Sequence, residues 1–409
     1  MSLDDRAAAL DATDPLAGFR DRFRLPENVI YLDGNSLGVQ PRHVAERVRR
    51  TVEHEWAEGL IGSWNAADWI ELPRTVGDRI AALVGAAPGS VTVGDSTSVN
   101  LFKCLAAAIM QRPGRRVIVT EETNFPTDGY MMQGLAALRP DLEIRAAAPG
   151  SDPAALVDAD TAVVALTHVD YRTAALHDMD AVTAAAHAAG AMMVWDLSHS
   201  TGALPVDLAG CDADFAVGCT YKYLNGGPGA PAFAYVAPRL GAVRQPLSGW
   251  MGHRDPFAFA GAYEPAEGAA GFLCGSPQIL SLAAVDAALA LWDHVDMAAV
   301  RAKSVSLTGL FMEAVEAECG GHGLTIVSPR DDARRGSHVS IAFDGGYAMI
   351  QALIGRGVVG DFRAPDLMRF GFAPLYVSHL ETLTAVRTLR DLLETGTWRA
   401  AGIPSGPVT

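Results

Sequence analysis

Short apolar runs alternate with helical patterns between about residues 75 and 290 of the chain. The runs that predict strands are "SVTVG", "RRVIVTE", "LEIRAA", "TAVVALTHV", "AMMVWDLS", "DFAVGCT" and "APAFAYV". Between them, segments such as 99–111, 128–138 and 179–189 place apolar residues at the spacing of amphipathic helices. Strands that alternate with helices in this way predict an α/β fold with a mostly parallel, doubly wound sheet.

The pattern changes after residue 280. A long helical pattern runs from Leu280 toward Val315, with a break predicted near Asp296. Beyond it, "HVSIAF", "VVGDFR" and "LMRFGFA" predict strands, whereas "YAMIQALIGRG" and "HLETLTAVRTLRDLLET" predict helices. We therefore expect a smaller α+β domain over residues 291–409 and a large domain over residues 56–290. The N-terminal segment, residues 1–55, is expected to pack with the small domain.

Composition and charge exclude several classes of function. The chain has 409 residues, of which 49% are hydrophobic and 19% are charged, as in folded globular proteins. A net charge of −15 without a basic cluster makes nucleic acid and anionic membranes poor partners. No apolar run is long enough to cross a bilayer, and the acidic start lacks the apolar core of a signal peptide. Five scattered cysteines have no metal-ligand spacing, which predicts reduced thiols in a cytoplasmic protein.

Polar residues follow the predicted strands, where doubly wound sheets bind their ligands. Residues 95–98, which include Ser96 and Thr97, precede a helix and offer hydroxyl and N–H groups. Taken alone, they favour an ordinary helix cap, and a phosphate-binding site is the alternative. Phe125 follows the next strand and is either a core residue or an aromatic face for a flat ligand. Asp128 begins the helix after it.

Two further motifs lie at the ends of apolar strands. Asp196 closes one strand and His199 follows three residues later. The two form either a pair of metal ligands or a carboxylate that keeps a heterocyclic nitrogen protonated, and a single Asp-x-x-His is weak support for a metal. Tyr221 and Lys222 follow the next strand. A phosphate site, an aromatic face, a buried carboxylate and a lysine at one edge together predict pyridoxal phosphate as the cofactor.

The chain resembles the kynureninase family of fold-type-I pyridoxal-phosphate enzymes over nearly its whole length. The stretches that carry the resemblance are "YLDGNSLGVQP" (31–41), "STSVNLFK" (96–103), "FPTD" (125–128), "DLSHS" (196–200), "YKYLNGGPG" (221–229), "GWMGH" (249–253) and "RFGFAPLY" (369–376). "YKYLN" and "YLDGNSLG" are rather specific to this family, whereas "FPTD" and Asp-x-x-His occur in a wider set of relatives.

The resemblance implies a set of cofactor-binding residues in each subunit of a homodimer. Its members are Ser96, Thr97, Phe125, Asp128, Asp196, His199, Tyr221 and Lys222. By this resemblance Lys222 binds the cofactor covalently, Phe125 stacks on its ring and Asp196 pairs with the ring nitrogen. Trp250 and Ser276 are implied to reach the cofactor from the second subunit.

The resemblance also implies the reaction, which is hydrolysis of L-kynurenine or its 3-hydroxy form to an anthranilate and L-alanine during tryptophan degradation. Lys222 would take the α-proton of this small amino-acid substrate, and Tyr221 would either donate a proton or only bind phosphate. Arg369 would hold the substrate α-carboxylate, unless it forms a structural ion pair with an acid such as Asp361.

An apolar slot for the aryl ring is one interpretation of Trp64 and Trp69, and ordinary packing is the other. The chain departs from the family pattern at Asp170, where an uncharged residue is expected, at Ala174, where glycine is expected, and at Ser276, where Asn or Thr is expected. These departures bear on substrate preference rather than on the cofactor.

Three alternative functions share this scaffold. An aminotransferase is the main alternative, and consumption of a keto acid would reveal it. A cysteine desulfurase needs an exposed nucleophilic cysteine near the active site, and no cysteine lies between Cys319 and Arg369. A non-catalytic relative is disfavoured because the whole set of motifs is present.

Overall fold

A seven-stranded sheet forms the centre of the computed structural model, which describes residues 1–400. The strands of all sheets within residues 1–400 are, in chain order, β1 Ile30–Tyr31, β2 Val91–Val93, β3 Val117–Glu121, β4 Glu143–Ala147, β5 Thr161–Thr167, β6 Met192–Asp196, β7 Phe215–Gly218, β8 Phe233–Val236, β9 Thr325–Ile326, β10 His338–Ala342, β11 Val358–Val359, β12 Asp361–Arg363 and β13 Leu367–Gly371. The central sheet has the order β2-β8-β7-β6-β5-β3-β4. Its β8 is antiparallel to β2 and β7, and the other pairs are parallel. The predicted mostly parallel sheet is therefore confirmed.

Helices cover both faces of this sheet. The helices within residues 1–400 are, in chain order, α1 Leu3–Ala12, α2 Val44–Arg50, α3 Ser63–Ala66, α4 Leu72–Leu83, α5 Thr97–Met110, α6 Pro126–Leu138, α7 Met179–Ala188, α8 Ile279–Leu289, α9 Met297–Glu318, α10 Gly346–Gly355 and α11 His379–Thr395. Met193 and Trp195 of β6 join an apolar cluster with α4, α7 and α8, whereas Met192 and Val194 join another with α5 and α6. Burial on both faces explains the continuous apolar runs of the strands. Each helix within residues 1–400 is too short or too polar to cross a bilayer.

The helical pattern after residue 280 is interrupted as predicted. Helix α8 ends at Leu289, and α9 begins at Met297. Asp296 is the N-cap of α9, and its carboxylate accepts a hydrogen bond from the Ala298 N–H at 2.9 Å. The break at this residue is therefore a helix start fixed by a capping side chain.

The segment "VVGDFR", predicted as one strand, forms two strands in different sheets. β11 pairs with β1 in parallel, whereas β12 joins the antiparallel sheet β12-β13-β10-β9. Gly360 lies between them, and a Cβ atom there would approach the carbonyl oxygen of Arg369 to 2.8 Å. The chain can change sheets at this point because glycine allows this close backbone approach.

The N-terminal segment contacts the C-terminal helices at several points. Helix α1 packs against α11, and Arg20 forms an ion pair with Glu381 at 2.5 Å. Lys303 of α9 lies 2.6 Å from the Asp14 carboxylate, and both side chains are almost completely buried. The division of the chain into domains at residues 55 and 290 stays a prediction.

The buried pair of Lys303 and Asp14 generates a stability prediction. Replacing Lys303→Met should lower the free energy of unfolding by about 3–5 kcal/mol, because the Asp14 carboxylate is left buried without its cation. Urea denaturation followed by circular dichroism measures the change.

The matched control is Arg6→Met, which removes an exposed ion pair between Arg6 of α1 and Glu313 of α9. This change should cost less than about 1 kcal/mol, because water screens an exposed pair. Equal losses in the two variants would contradict the importance assigned to the buried pair.

Candidate active site

A cavity lies at the carboxyl edge of the central sheet, beside the start of α5. Its lining is formed by Thr97, Ser98, Phe125, Thr127, Asp128, Thr167, Tyr171, Asp196, Ser198, His199, Tyr221 and Lys222. Seven residues predicted from the sequence are among them, namely Thr97, Phe125, Asp128, Asp196, His199, Tyr221 and Lys222. The loops after β3, β5, β6 and β7 supply most of this lining, as expected for the carboxyl ends of neighbouring parallel strands.

Lys222 differs from the other lysines of the chain, of which there are two. Lys103 Nζ lies 2.9 Å from an Asp95 carboxylate oxygen, and Lys303 is the lysine of the buried pair described above. Lys222 Nζ lies 3.0 Å from His199 Nε2. Within residues 1–400, no carboxylate lies within ion-pair distance of the Lys222 amine. Lys222 is thus the lysine whose amine is available to a ligand in the cavity.

Two carboxyl groups are buried beside Lys222. Asp196 Oδ1 accepts a hydrogen bond from the Ser198 N–H at 2.7 Å, and burial raises the pKa of Asp196. Burial, followed by the negative charge of Asp196, raises the pKa of Asp128 well above its usual value. Thr167 Oγ1 donates to Asp128 at 3.4 Å, which favours the ionised form only weakly. A cation placed against Asp196 would restore its negative charge.

His199 is neutral in this setting. Burial, and then the charge of Lys222, lower the pKa of His199 well below its usual value. Its Nδ1 atom is buried and has no hydrogen-bond partner among residues 1–400. A neutral imidazole leaves Nε2 able to accept a hydrogen bond from the Lys222 amine. The described residues contain no group of three or more His, Cys, Asp or Glu side chains that could hold a metal ion.

The start of α5 presents polar groups to the cavity. Ser96 is the N-cap, and its Oγ accepts from the Val99 N–H at 3.3 Å, while Thr97 and Ser98 line the cavity. The first N–H groups of a helix lack intrahelical acceptors and favour an anion. The preceding Asp95 has a φ of +52° and is held by the buried Lys103. Lys103 is not among the residues predicted for the site, although a lysine on the apolar face of α5 signals this support.

Aromatic rings form one wall of the cavity. Phe125 is 42% exposed, and its ring meets that of Tyr171 edge to face at 5.2 Å between centroids. Tyr171 was not among the predicted site residues, since it lies in the irregular segment after β5. Repulsion between a Tyr221 phenolate and a Cys219 thiolate, then burial, raises the pKa of Tyr221, so its phenol keeps its proton.

Arg369 lies behind Tyr171 and not in the cavity lining. Its guanidinium binds Asp361 through two nitrogens, with Nε 2.7 Å from Oδ1, and its Nη1 donates to the Tyr171 carbonyl oxygen at 2.5 Å. The ion pair with Asp361, one of the two interpretations of this arginine, is therefore present. A role in carboxylate binding stays a prediction.

Four other aromatic or polar residues named from the sequence lie outside the cavity. Trp64 and Trp69 meet edge to face at 6.1 Å, and the indole of Trp69 donates to Glu55. Trp250 contacts Phe257 and Phe259, two exposed rings. Ser276 is also exposed. The predicted contributions of Trp250 and Ser276 across a dimer stay predictions.

The departures at residues 170 and 174 belong to one tight loop. Asp170 Oδ1 accepts hydrogen bonds from the N–H groups of Arg172 and Thr173. Ala174 has a φ of +65°, in the left-handed region that favours glycine. The acidic side chain at 170 fixes the turn, and the backbone conformation explains why glycine is expected at 174.

Comparisons with known proteins establish the family of the chain. A family model described as "Kynureninase C-terminal domain" matches residues 300–389. The kynureninase of Burkholderia pseudomallei strain 1106a is 52% identical over 409 residues, covering 98% of each chain. The kynureninase of Pseudomonas fluorescens is 51% identical over 407 residues, again 98% of each chain. The chain belongs to the kynureninase family.

Solved structures establish the fold of this kynureninase family member independently. The apo cysteine desulfurase of Thermococcus onnurineus NA1 superposes with a TM-score of 0.78 at 19% identity, covering 92% of this chain and 98% of that one. A mutant of C-DES with glycine covalently linked to its pyridoxal-phosphate cofactor superposes with a TM-score of 0.78 at 18% identity, covering 91% and 99%. The predicted fold-type-I class is confirmed.

The cysteines separate the kynureninase family member from its desulfurase neighbours in chemistry. A desulfurase needs a reactive thiolate, which a lowered pKa provides. Here burial raises the pKa of the thiol in all five cysteines, namely Cys104, Cys211, Cys219, Cys274 and Cys319. None of the five thiols lines the cavity, and none has the lowered pKa that a reactive thiolate uses.

The packing of Gly38 against the lysine loop generates a prediction. The Gly38 N–H donates to the Tyr221 carbonyl at 2.8 Å, and a Cβ at Gly38 would lie 2.2 Å from the Lys222 carbonyl oxygen. Gly38→Ala should therefore displace the loop and weaken binding of pyridoxal phosphate by about tenfold, as overpacking costs 1–3 kcal/mol. An absorbance titration of the cofactor-free protein measures the affinity.

Gly18→Ala is the control, because a Cβ at Gly18 meets no atom within 4 Å. Its cofactor affinity should equal that of the wild type. Unchanged affinity in Gly38→Ala would show that the N-terminal segment does not fix the position of Lys222.

Proposed function

We propose that the protein is a pyridoxal-phosphate-dependent hydrolase that cleaves L-kynurenine, its 3-hydroxy form, or both. The products are L-alanine and anthranilate or 3-hydroxyanthranilate, as expected in tryptophan degradation. The observation that carries this proposal is Lys222, the one lysine of three without an ion pair among residues 1–400, in the cavity of a chain 52% identical to a kynureninase.

The cavity residues fit pyridoxal phosphate. A buried Asp196 with a raised pKa suits a protonated ring nitrogen, and the start of α5 with Thr97 and Ser98 suits the phosphate. The partly exposed ring of Phe125 in the cavity wall suits contact with a flat ring. When bound, this cofactor withdraws electrons from the α-carbon of an amino acid and so makes the α-proton acidic.

The side chains of the cavity have distinct tasks in this proposal. Lys222 Nζ accepts the substrate α-proton and holds it near His199 Nε2, 3.0 Å away. The neutral His199 orients the amine without competing for the proton, since its pKa is far below the usual range. The Tyr221 phenol, which keeps its proton, donates it to a developing anion. Arg369 attracts the substrate α-carboxylate.

We further propose a cytoplasmic homodimer in which Trp250 and Ser276 reach the cofactor of the partner subunit. The exposed rings of Phe257 and Phe259 beside Trp250 support this part, because exposed aromatic clusters mark interfaces. The free cysteines suit a reducing compartment. A protein that is monomeric by light scattering and fully active in the same solution would refute the dimer. Fractionation of cells would test the location.

Product analysis tests the function. The purified, cofactor-loaded protein is incubated separately with L-kynurenine and with 3-hydroxy-L-kynurenine, without any keto acid. Equal amounts of L-alanine and the matching anthranilate are the expected result. Turnover only when a keto acid is added would identify an aminotransferase instead, and no turnover of either substrate would reject the proposal.

Asp196→Asn tests the acid assigned to the ring nitrogen. This variant should lose at least about 100-fold in kcat, because the preorganised charge that stabilises the transition state is gone. Its cofactor content should fall much less, since the phosphate site is intact. Asp344→Asn, at an exposed carboxylate of the C-terminal region, is the control and should retain normal kcat. Near-normal turnover of Asp196→Asn would contradict the assignment.

A further inference from the structure

A second cluster of charges lies behind the cavity, on the antiparallel sheet. Asp361 of β12 binds Arg369 through both oxygens. Arg363 Nη2 lies 2.7 Å from Asp361 Oδ2, and Ser36 Oγ donates to the same oxygen at 2.9 Å. The side chains of Asp361 and Arg369 are each 2% exposed, whereas that of Arg363 is 37% exposed. One carboxylate thus faces two guanidinium groups, one of which has an accessible side.

Asp33 is the second acid of this cluster. It follows β1 in "YLDGNSLG", and its Oδ1 atom is buried without a hydrogen-bond partner among residues 1–400. Burial, then repulsion by Asp361, raises the pKa of Asp33 to about 7, although Arg369 and Arg363 oppose the shift. A buried carboxyl oxygen that lacks a hydrogen-bond partner and lies in the field of two arginines is an exception among native structures and calls for an explanation.

Tyrosines complete the surroundings of Asp33. Tyr31 of β1, Tyr223 after β7 and Tyr376 before α11 all sense its charge, and burial raises the pKa of each phenol. They stay neutral. The charge of the cluster is therefore set by the two arginines and the two acids. It is zero when both acids are ionised and positive when Asp33 carries a proton.

The cluster acts on the cavity through contacts and charge. Arg369 donates to the carbonyl of Tyr171, whose ring lines the cavity wall. Arg369 and Arg363 both contribute to the lowered pKa of His199, which contacts Lys222. A carboxylate on a ligand that contacts Lys222 would therefore lie in the field of both arginines, and it would be repelled by an ionised Asp33.

We propose that Asp33 takes up a proton from solvent when the substrate α-carboxylate binds beside Arg363 and Arg369. This inference rests on the proposed function, since it assigns the cluster to the amino-acid carboxylate. Asp33 is a positioning residue in this scheme, because it acts through the arginines. One negative charge enters the cluster and one is neutralised by the added proton, so the total charge is conserved.

Binding of the carboxylate should weaken as the pH rises. Below about pH 7 Asp33 is already protonated, and the positive cluster binds a carboxylate without proton uptake. At higher pH, binding must first add a proton, so the dissociation constant rises with pH. A neutral residue at position 33 removes this dependence and leaves the cluster positive at every pH.

Calorimetric titration of the cofactor-loaded protein with L-alanine tests the proposal. Titrations at one pH in two buffers of different ionisation enthalpy count the protons taken up. At about pH 8 the wild type should take up more protons than Asp33→Asn. The dissociation constant for L-alanine should rise between about pH 6.5 and about pH 8.5 in the wild type. The factor of this rise should be about tenfold larger than the factor for Asp33→Asn. L-Alaninamide, which lacks the carboxylate, should show no difference between the two proteins.

The controls separate the possible failures. Glu27→Gln, an exposed acid of the same segment, should behave as the wild type. Asp33→Ser is a second neutral variant and replaces Asp33→Asn if that protein does not fold. Equal proton uptake by the wild type and the neutral variants overturns the inference. If the wild type takes up more protons than the neutral variants but does not cleave kynurenine, the proposed function is overturned and the carboxylate site is still supported.

Discussion

The placement of Lys222 beside two buried carboxyl groups is the interaction on which the site depends. Asp196 and Asp128 would be costly at the edge of an apolar sheet without a cation, and burial raises the pKa of both. Lys222 instead contacts the neutral His199. The cavity thus holds the Lys222 amine without an ion pair, close to the Asp196 and Asp128 carboxyl groups. This arrangement suits pyridoxal phosphate, whose aldehyde can react with the amine and whose protonated ring can pair with a carboxylate.

Distant parts of the chain hold this arrangement in place. Gly38 of the N-terminal segment packs directly on the loop that carries Lys222, and Arg369 of β13 binds the carbonyl of Tyr171 in the cavity wall. The buried pair of Lys303 and Asp14 joins the N-terminal segment to α9. The cavity lies at the edge of the central sheet, but its geometry and its charge depend on segments from both ends of the chain.

The sequence predicts best what depends on neighbouring residues. The strand "DFAVGCT" and the polar residues after it locate Lys222, because a buried strand and its carboxyl end are local features. Neither Tyr171 nor Asp33 is among the predicted site residues, since Tyr171 is bound by Arg369 and Asp33 lies in the field of Asp361, both about 200 or more positions away. "VVGDFR" was predicted wrongly as one strand because the close approach at Gly360 involves the backbone of β13.

Borohydride reduction of the cofactor-loaded protein tests the central claim most directly. The chain has only three lysines, and the other two are buried and ion-paired with a carboxylate. Mass spectrometry of peptides should therefore find the reduced cofactor on Lys222 alone, and the Lys222→Ala protein should carry no adduct. An adduct on Lys103 or Lys303 in the wild type, or an adduct that persists in Lys222→Ala, would contradict the account.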